Sequence, residues 1–210
     1  MSQVIRHSLT VRVTHWLIAV SGILLLFSGF GQMPMYQRYN VVKIPGMAWS
    51  SDYEITLLIH YISAAFFTAA VVFHLVYHFK RKEFAIIPQK GDILASIKGV
   101  LSMIGLSEQP RHSKFQAKQR VIYAIFTTTG ILLVVTGLLK SYKNLGALIL
   151  DPMLLQWTAL IHTATGMFFM FLLLAHVVAL ILFYRPMIPS MFTGKMDREY
   201  AHKHHPEWPI

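Results

Sequence analysis

The sequence predicts an all-α integral membrane protein, a four-helix bundle with both termini and one long connecting loop in the cytoplasm. Three observations lead there. Hydrophobic residues make up 55% of the 210-residue chain and charged residues only 13%, about half the charged share of an average soluble domain. Four stretches, 13–37, 55–79, 121–139 and 152–184, carry no Asp, Glu, Lys or Arg. The 19 lysines and arginines outnumber the 9 acidic residues and sit between those stretches, not within them. The resulting charge of +10 would suggest a nucleic acid partner in a soluble chain. Here it is membrane-flanking charge, and no nucleic acid is expected.

Each apolar stretch is long enough to be a span. Roughly 20 mostly apolar residues cross a bilayer as a helix, because in hydrocarbon every backbone amide must bond within its own segment. The expected spans are about 13–34, 55–79, 121–140 and 154–184 of a single membrane-embedded domain, 1–210. The first is too long for a removable signal peptide, and no small-residue cleavage site follows it. Residues 1–12 read as a short cytoplasmic lead. The successive connecting segments carry 2, 2, 9, 2 and 4 lysines and arginines. The positive-inside rule then puts the termini and the 80–120 loop in the cytoplasm, in keeping with a bacterial inner membrane. Within that loop, Ile93, Leu94, Ile97, Val100, Leu101 and Ile104 recur at helical spacing. They predict an amphipathic helix over 91–105, either in the headgroup layer or against the bundle ends. Pro34, Pro45, Gly46 and Trp49 mark 32–54 as an ordered interfacial loop on the outer side.

The chain has no cysteine. That excludes a disulfide framework, a thiolate-held iron–sulfur cluster, a thioether-attached haem and a cysteine nucleophile, so any such centre belongs to a partner. Histidine carries the chemistry instead. Of 11 histidines, His15, His60, His74, His162 and His176 fall inside spans. An ionisable residue in a bilayer costs a few kcal/mol on insertion scales, so five together need a compensating interaction. Leu58-Ile59-His60, Phe66-Phe67 and His74 recur as Leu160-Ile161-His162, Phe168-Phe169 and His176, each displaced by 102 residues. Fourteen residues of helix fall about 40° short of four turns and rise about 21 Å. His60 and His74 therefore share one face at two depths, and so do His162 and His176. The second and fourth spans run in the same direction, so His60 is level with His162 near the outer surface. His176 and His15 are both near the inner one.

Facing imidazoles at two depths fit two haem b groups. Two axial imidazoles saturate the iron, which suits electron transfer and not oxygen chemistry. Gly22, Gly29, Gly130, Gly137 and Gly166 would let a flat macrocycle approach the helices. The spacing assigns the outer iron to His60 and His162. The inner iron takes His176 with either His15 or His74. A histidine-lined transporter of metal ions or protons is the alternative of another class. The tail histidines His202, His204 and His205 form no closed metal site and read as a solvent-facing or subunit-contact tail. Arg6, Arg12, Lys140 and Arg185 are candidate propionate partners.

Several of these residues resemble a known family. Thr14-His15-Trp16, Leu160-Ile161-His162 with Gly166, His176, and the ending from Gly194-Lys195 to Lys203-His204-His205-Pro206-Glu207-Trp208 resemble the cytochrome b, or gamma, subunit of respiratory membrane-bound formate dehydrogenases. That subunit lies within the wider bacterial di-haem cytochrome b family. The resemblance covers nearly the whole chain. It implies His60 and His162 on the outer haem and His15 and His176 on the inner one. His74 departs from the family pattern and stays an alternative ligand, a proton-relay member or a packed imidazole. The resemblance also implies menaquinone, or another quinone, beside the inner haem against 114–120. There Gln116 keeps a side-chain amide where the family has asparagine, and Lys118 replaces a glycine; Gln116, Gln119 and Lys118 are the candidate quinone residues. It further implies an iron–sulfur subunit and a catalytic dehydrogenase subunit as partners, with no catalytic residue of the dehydrogenase reaction in this chain. A hydrogenase or a sulfur-compound reductase is the alternative donor.

Overall fold

A computed structural model of the chain describes residues 2–103, 105–108, 112–146 and 151–210. Among the described residues four helices are long and apolar enough to cross a membrane: α1 (Leu9–Gly31), α2 (Tyr53–Arg81), α4 (Ala117–Asn144) and α5 (Pro152–Phe183). Sheet among the described residues is limited to a two-stranded antiparallel ribbon of β1 (Gln3–Ile5) and β2 (Lys195–Asp197). The short helices are α3 (Asp92–Met103), α6 (Ile188–Thr193) and α7 (Arg198–His204). The all-α membrane fold expected from the sequence is the fold observed.

Helix ends differ from the expected limits by a few residues because caps set them, whereas the sequence limits were drawn at charges. Asp52 opens α2 by accepting the Ile55 amide at 3.0 Å. Asp151 opens α5, accepting from Met153 at 2.9 Å and Leu154 at 3.2 Å, with Pro152 at the first helical position. Gln119 reaches back to the Gln116 amide at 2.9 Å, so α4 starts at Ala117, before the last charges of the loop. α1 stops at Gly31, where a Cβ would sit 2.6 Å from the Ser50 carbonyl and 2.8 Å from Thr56 Cγ2. The amphipathic loop helix is present as α3, with Ile93, Leu94, Ile97 and Val100 exposed. Ile104, the last residue of its apolar series, lies outside the described residues.

The chain divides into two compact units. One comprises 13–75 and 133–170 and holds most of α1 and α2, the end of α4 and the first half of α5. Its loop over 32–52 is ordered as expected: short 3-10 turns run from a buried Tyr36 to Ser51, and the Tyr36 hydroxyl donates to Ser50 Oγ at 2.9 Å. Much of the apolar surface of its helices, including Val20, Ile23, Phe66 and Leu160, is uncovered by the protein itself, as lipid-facing positions are.

The other unit comprises 1–12, 76–132 and 171–210. Its ribbon pairs Val4 with Met196, and Gly194, at φ 79°, turns the chain from α6 into β2. A Cβ on Gly194 would stand 2.7 Å from the His7 carbonyl, so only glycine fits. The tail does not face solvent throughout. His205 is fully buried, with Nδ1 donating to the Ser113 carbonyl at 2.8 Å and Nε2 accepting from Arg6 at 3.3 Å. Burial pushes His205 down to about 4 and Arg6 down to about 10. His205 is therefore neutral and can accept from the guanidinium. Arg120 Nε donates to Asp92 Oδ2 at 2.7 Å and Arg120 Nη2 to Asp92 Oδ1 at 2.5 Å, fixing the start of α3 to the start of α4.

Candidate functional site

His60 on α2 and His162 on α5 meet in the first unit with ring centroids 6.4 Å apart and planes inclined at 70°. Two metal–nitrogen bonds of about 2.05 Å, each extended by about 1.1 Å from nitrogen to ring centre, would separate two imidazoles on one metal by about 6.3 Å. The observed spacing fits one iron between them.

Each ring is oriented by a hydroxyl on the neighbouring helix. His60 Nδ1 lies 3.0 Å from Ser28 Oγ, and His162 Nδ1 lies 2.8 Å from Thr136 Oγ1. The Ser28 hydroxyl donates its own hydrogen to the Leu24 carbonyl at 2.7 Å. The Thr136 hydroxyl donates to the Leu133 carbonyl at 3.3 Å. Each oxygen is left to accept from the imidazole N–H, a role the Leu25 carbonyl shares at His60, which keeps the proton on Nδ1 and leaves the Nε2 lone pair to bind a metal. The next residue on each helix is glycine. A Cβ on Gly29 would lie 3.5 Å from His60 Cε1, and one on Gly137 3.4 Å from His162 Cε1.

The two histidines line a cavity of ≈ 870 Å³ together with Gly22, Gly29, Gly137 and Gly166. Its volume is within the range of cofactor sites. Four of the five glycines picked out in the sequence thus line one cavity. Of the four basic candidates for propionate, Lys140 is the one among its lining residues. Arg6 is engaged by His205, Arg12 by the Phe192 carbonyl, and Arg185 by the Ile181 carbonyl at 2.6 Å. One helical repeat further along, Phe67 and Phe169 meet edge to face, centroids 6.1 Å apart, with Gly22 against both. The residues present fit a flat macrocycle held by two imidazoles.

The remaining candidates are placed separately. His15 and His74 belong to the same unit as His60 and His162, and His15 stands edge-on to Trp16 at 5.6 Å. His176 belongs to the other unit, edge-on to Phe126 at 5.8 Å. Gln116 is buried, and among the described residues its Oε1 accepts no hydrogen bond. Gln119 uses its oxygen as the α4 cap and directs its amide nitrogen to Met187 Sδ at 3.9 Å. Lys118 lies over the Tyr184 ring at 5.2 Å.

Ser28 and Thr136 were missed in the sequence, although a signal for them exists. Residues 21–29 read SGILLLFSG and residues 129–137 read TGILLVVTG, a repeat displaced by 108 residues that pairs each hydroxyl with a glycine.

Long apolar helices, a pair of facing imidazoles and a glycine-lined cavity define a membrane protein built to hold haem. A sequence model of the prokaryotic cytochrome b561 family matches residues 6–194, and the chain belongs to that family. It is a membrane-embedded cytochrome b of electron transfer. Within curated proteins it is similar to the cytochrome b556(Fdn) subunit of the nitrate-inducible formate dehydrogenase of Escherichia coli (strain K12), 24% identical over 210 residues. The match covers 98% of this chain and 89% of the relative. The same subunit from Escherichia coli O157:H7 and from Shigella flexneri matches with the same identity and coverage.

Proposed function

We propose that this chain is the di-haem b membrane subunit of a formate dehydrogenase, carrying electrons from a periplasmic-side iron–sulfur subunit to menaquinone or another quinone. The observation that carries the reading is the His60–His162 pair, 6.4 Å apart in a cavity lined by glycine. His60 and His162 hold one haem b, and Lys140 supplies a positive charge to the same cavity. His15 and His176 hold a second haem on the family pattern alone. A haem held by these imidazole pairs would supply one-electron transfer.

Gln116, Gln119 and Lys118 take the quinone. The amide nitrogens and the lysine donate to its carbonyls, and the unused Oε1 of Gln116 accepts from a hydroxyl once the ring is reduced. Both termini and the 80–120 loop face the cytoplasm of a bacterial inner membrane, so protons for quinone reduction are drawn from that side while electrons arrive from the other. Each turnover then moves charge across the membrane without a moving pump. Formate oxidation takes place on a separate catalytic subunit.

The test is optical. In membranes containing the chain, formate should produce a sharp reduced cytochrome b band that a quinone analogue reoxidises. Reduction by hydrogen or a sulfur compound, with none by formate, would move the chain to another dehydrogenase complex. Pure protein without protohaem would favour the transporter reading instead.

A further inference from the structure

We propose that Ser28 and Thr136 are positioning residues that set the electron affinity of the haem held by His60 and His162, each acting through the Nδ1–H of one axial imidazole. The proposal rests on the assignment of that haem, and its test separates the two.

The argument starts from hydroxyls in apolar helices. Serine or threonine inside a span ordinarily bonds the carbonyl of the preceding turn and does nothing further. Ser21 behaves that way, donating to the Leu17 carbonyl at 2.6 Å. Thr129 does the same toward Ile125 at 2.7 Å. Ser28 and Thr136, seven residues later on the same two helices, make the back-bond and add a second one to an imidazole nitrogen. Both are almost wholly buried, Ser28 at 0% and Thr136 at 4% exposure, so no water competes for the oxygen.

The geometry is duplicated. α1 presents Ser28-Gly29 to His60 of α2, and α4 presents Thr136-Gly137 to His162 of α5. The glycine brings the helix backbone against the ring, with Cε1 next to the vacant Cβ position. The preceding hydroxyl then lies beside Nδ1. A side chain at either glycine would meet the ring that the hydroxyl orients. Two helix pairs thus fix both rings by the same two-residue device, carried on the same sequence repeat.

The chemical consequence has a definite sign. An acceptor on Nδ1–H makes the imidazole a stronger donor to the metal through Nε2 and fixes its tautomer and plane. Stronger donation favours ferric over ferrous iron, so both hydroxyls lower the reduction potential. These hydroxyls are neutral and already donate to a carbonyl, so the effect belongs at the low end of outer-shell substitutions, about tenfold in the ferric-to-ferrous ratio per hydroxyl. For one electron that is about 59 mV.

The experiment uses the full chain purified with whatever subunits accompany it. Protohaem is counted by pyridine extraction, and each haem is titrated optically. The wave missing in His60→Ala identifies the haem in question. Ser28→Ala and Thr136→Val should each keep the protohaem and raise that wave by about tenfold in ratio, with nearly additive effects in the double variant. Ser28→Thr and Thr136→Ser, which retain the hydroxyl, should titrate as wild type. Ser21→Ala, which loses only a back-bond, should also leave the wave in place. If Ser28→Ala loses the haem while Ser28→Thr keeps it, the hydroxyl is again shown to hold the ring. Equal potentials in all haem-loaded variants overturn the proposal, and so does a shift in Ser28→Thr or Ser21→Ala as large as in Ser28→Ala. Wild-type protein without protohaem removes the haem assignment itself, a result distinct from either.

Discussion

Asp92→Asn is expected to detach α3 while leaving the His60–His162 haem in place. Asp92 receives two bonds from Arg120, at 2.7 and 2.5 Å, and a third from the Gln89 amide at 2.7 Å. The pair is largely enclosed, with side chains 12% and 6% exposed, and Arg120 also donates to the Phe115 carbonyl at 2.7 Å. Removing one partner of a buried ion pair strands the other charge, at a cost of about 3 kcal/mol at the low end of measured cases. At about 1.4 kcal/mol per factor of ten, local opening of α3 should become roughly a hundredfold more frequent. Hydrogen exchange read by mass spectrometry on the purified protein measures this directly: protection of the α3 amides should fall by about that factor while α2 and α5 are unchanged. On the proposed quinone site at Gln116, quinone reduction should slow as well, because Arg120, which also donates to the Phe115 carbonyl, loses the carboxylate that holds it in place. The bond from Arg120 holds the Asp92 carboxyl below its usual range. Its contribution is therefore complete above the unfolded value of about 3.9 and is lost only as pH falls through the lower folded value. Protection corrected for intrinsic exchange should be flat between pH 5 and 8. A change in α3 protection below threefold, or a slope across that pH range, would refute the reasoning.

Three further outcomes follow from the same coordinates. Gly31→Ala should lower the apparent Tm and destabilise the C-terminal end of α1 by about 1–3 kcal/mol, since its Cβ would meet the Ser50 carbonyl at 2.6 Å, backbone that cannot rotate away. The tail clasp should loosen on acidification. His205 is held at about 4 by burial among Arg6, His112 and His204, below the unfolded value of about 6.5; neutral His205 is favoured above that value, and its contribution falls as pH drops from about 6.5 toward 4. Limited proteolysis after Arg198 or Lys203 should speed up over that interval in the wild type, and its pH dependence should weaken in His205→Asn, where the buried His112 and the half-buried His204, also held below the usual imidazole range, still titrate. Lys140→Met should raise the energy of an anionic group in the His60–His162 cavity, lowering the potential of the haem there without changing haem content. An unchanged optical titration would place Lys140 outside the propionate contacts.

The fold was legible because lipid imposes a coarse rule: charge-free stretches of sufficient length must be helices. The same rule does not show where the helices begin, since the side chains of Asp52, Asp151 and Gln119 start them by capping, which hydropathy does not register. His60 and His162 stood out because an imidazole in hydrocarbon needs a partner. Ser28 and Thr136 did not, because a small hydroxyl in a span is ordinarily satisfied by its own backbone, and only the neighbouring ring shows its second bond. The tail misled for a different reason. His202, His204 and His205 are equivalent in the sequence, yet the chain reversal at Gly194 turns His205 alone into a fully buried contact between Arg6 and the Ser113 carbonyl. Gln119 reads as a quinone donor from its neighbours in sequence, while its oxygen is spent on starting a helix.

Protohaem counted per chain in wild-type and His162→Ala protein tests the central claim most directly. Two haems falling to one, with the surviving haem's spectrum unchanged, is the predicted result. An unchanged count in His162→Ala would contradict the pairing of the two imidazoles across one iron.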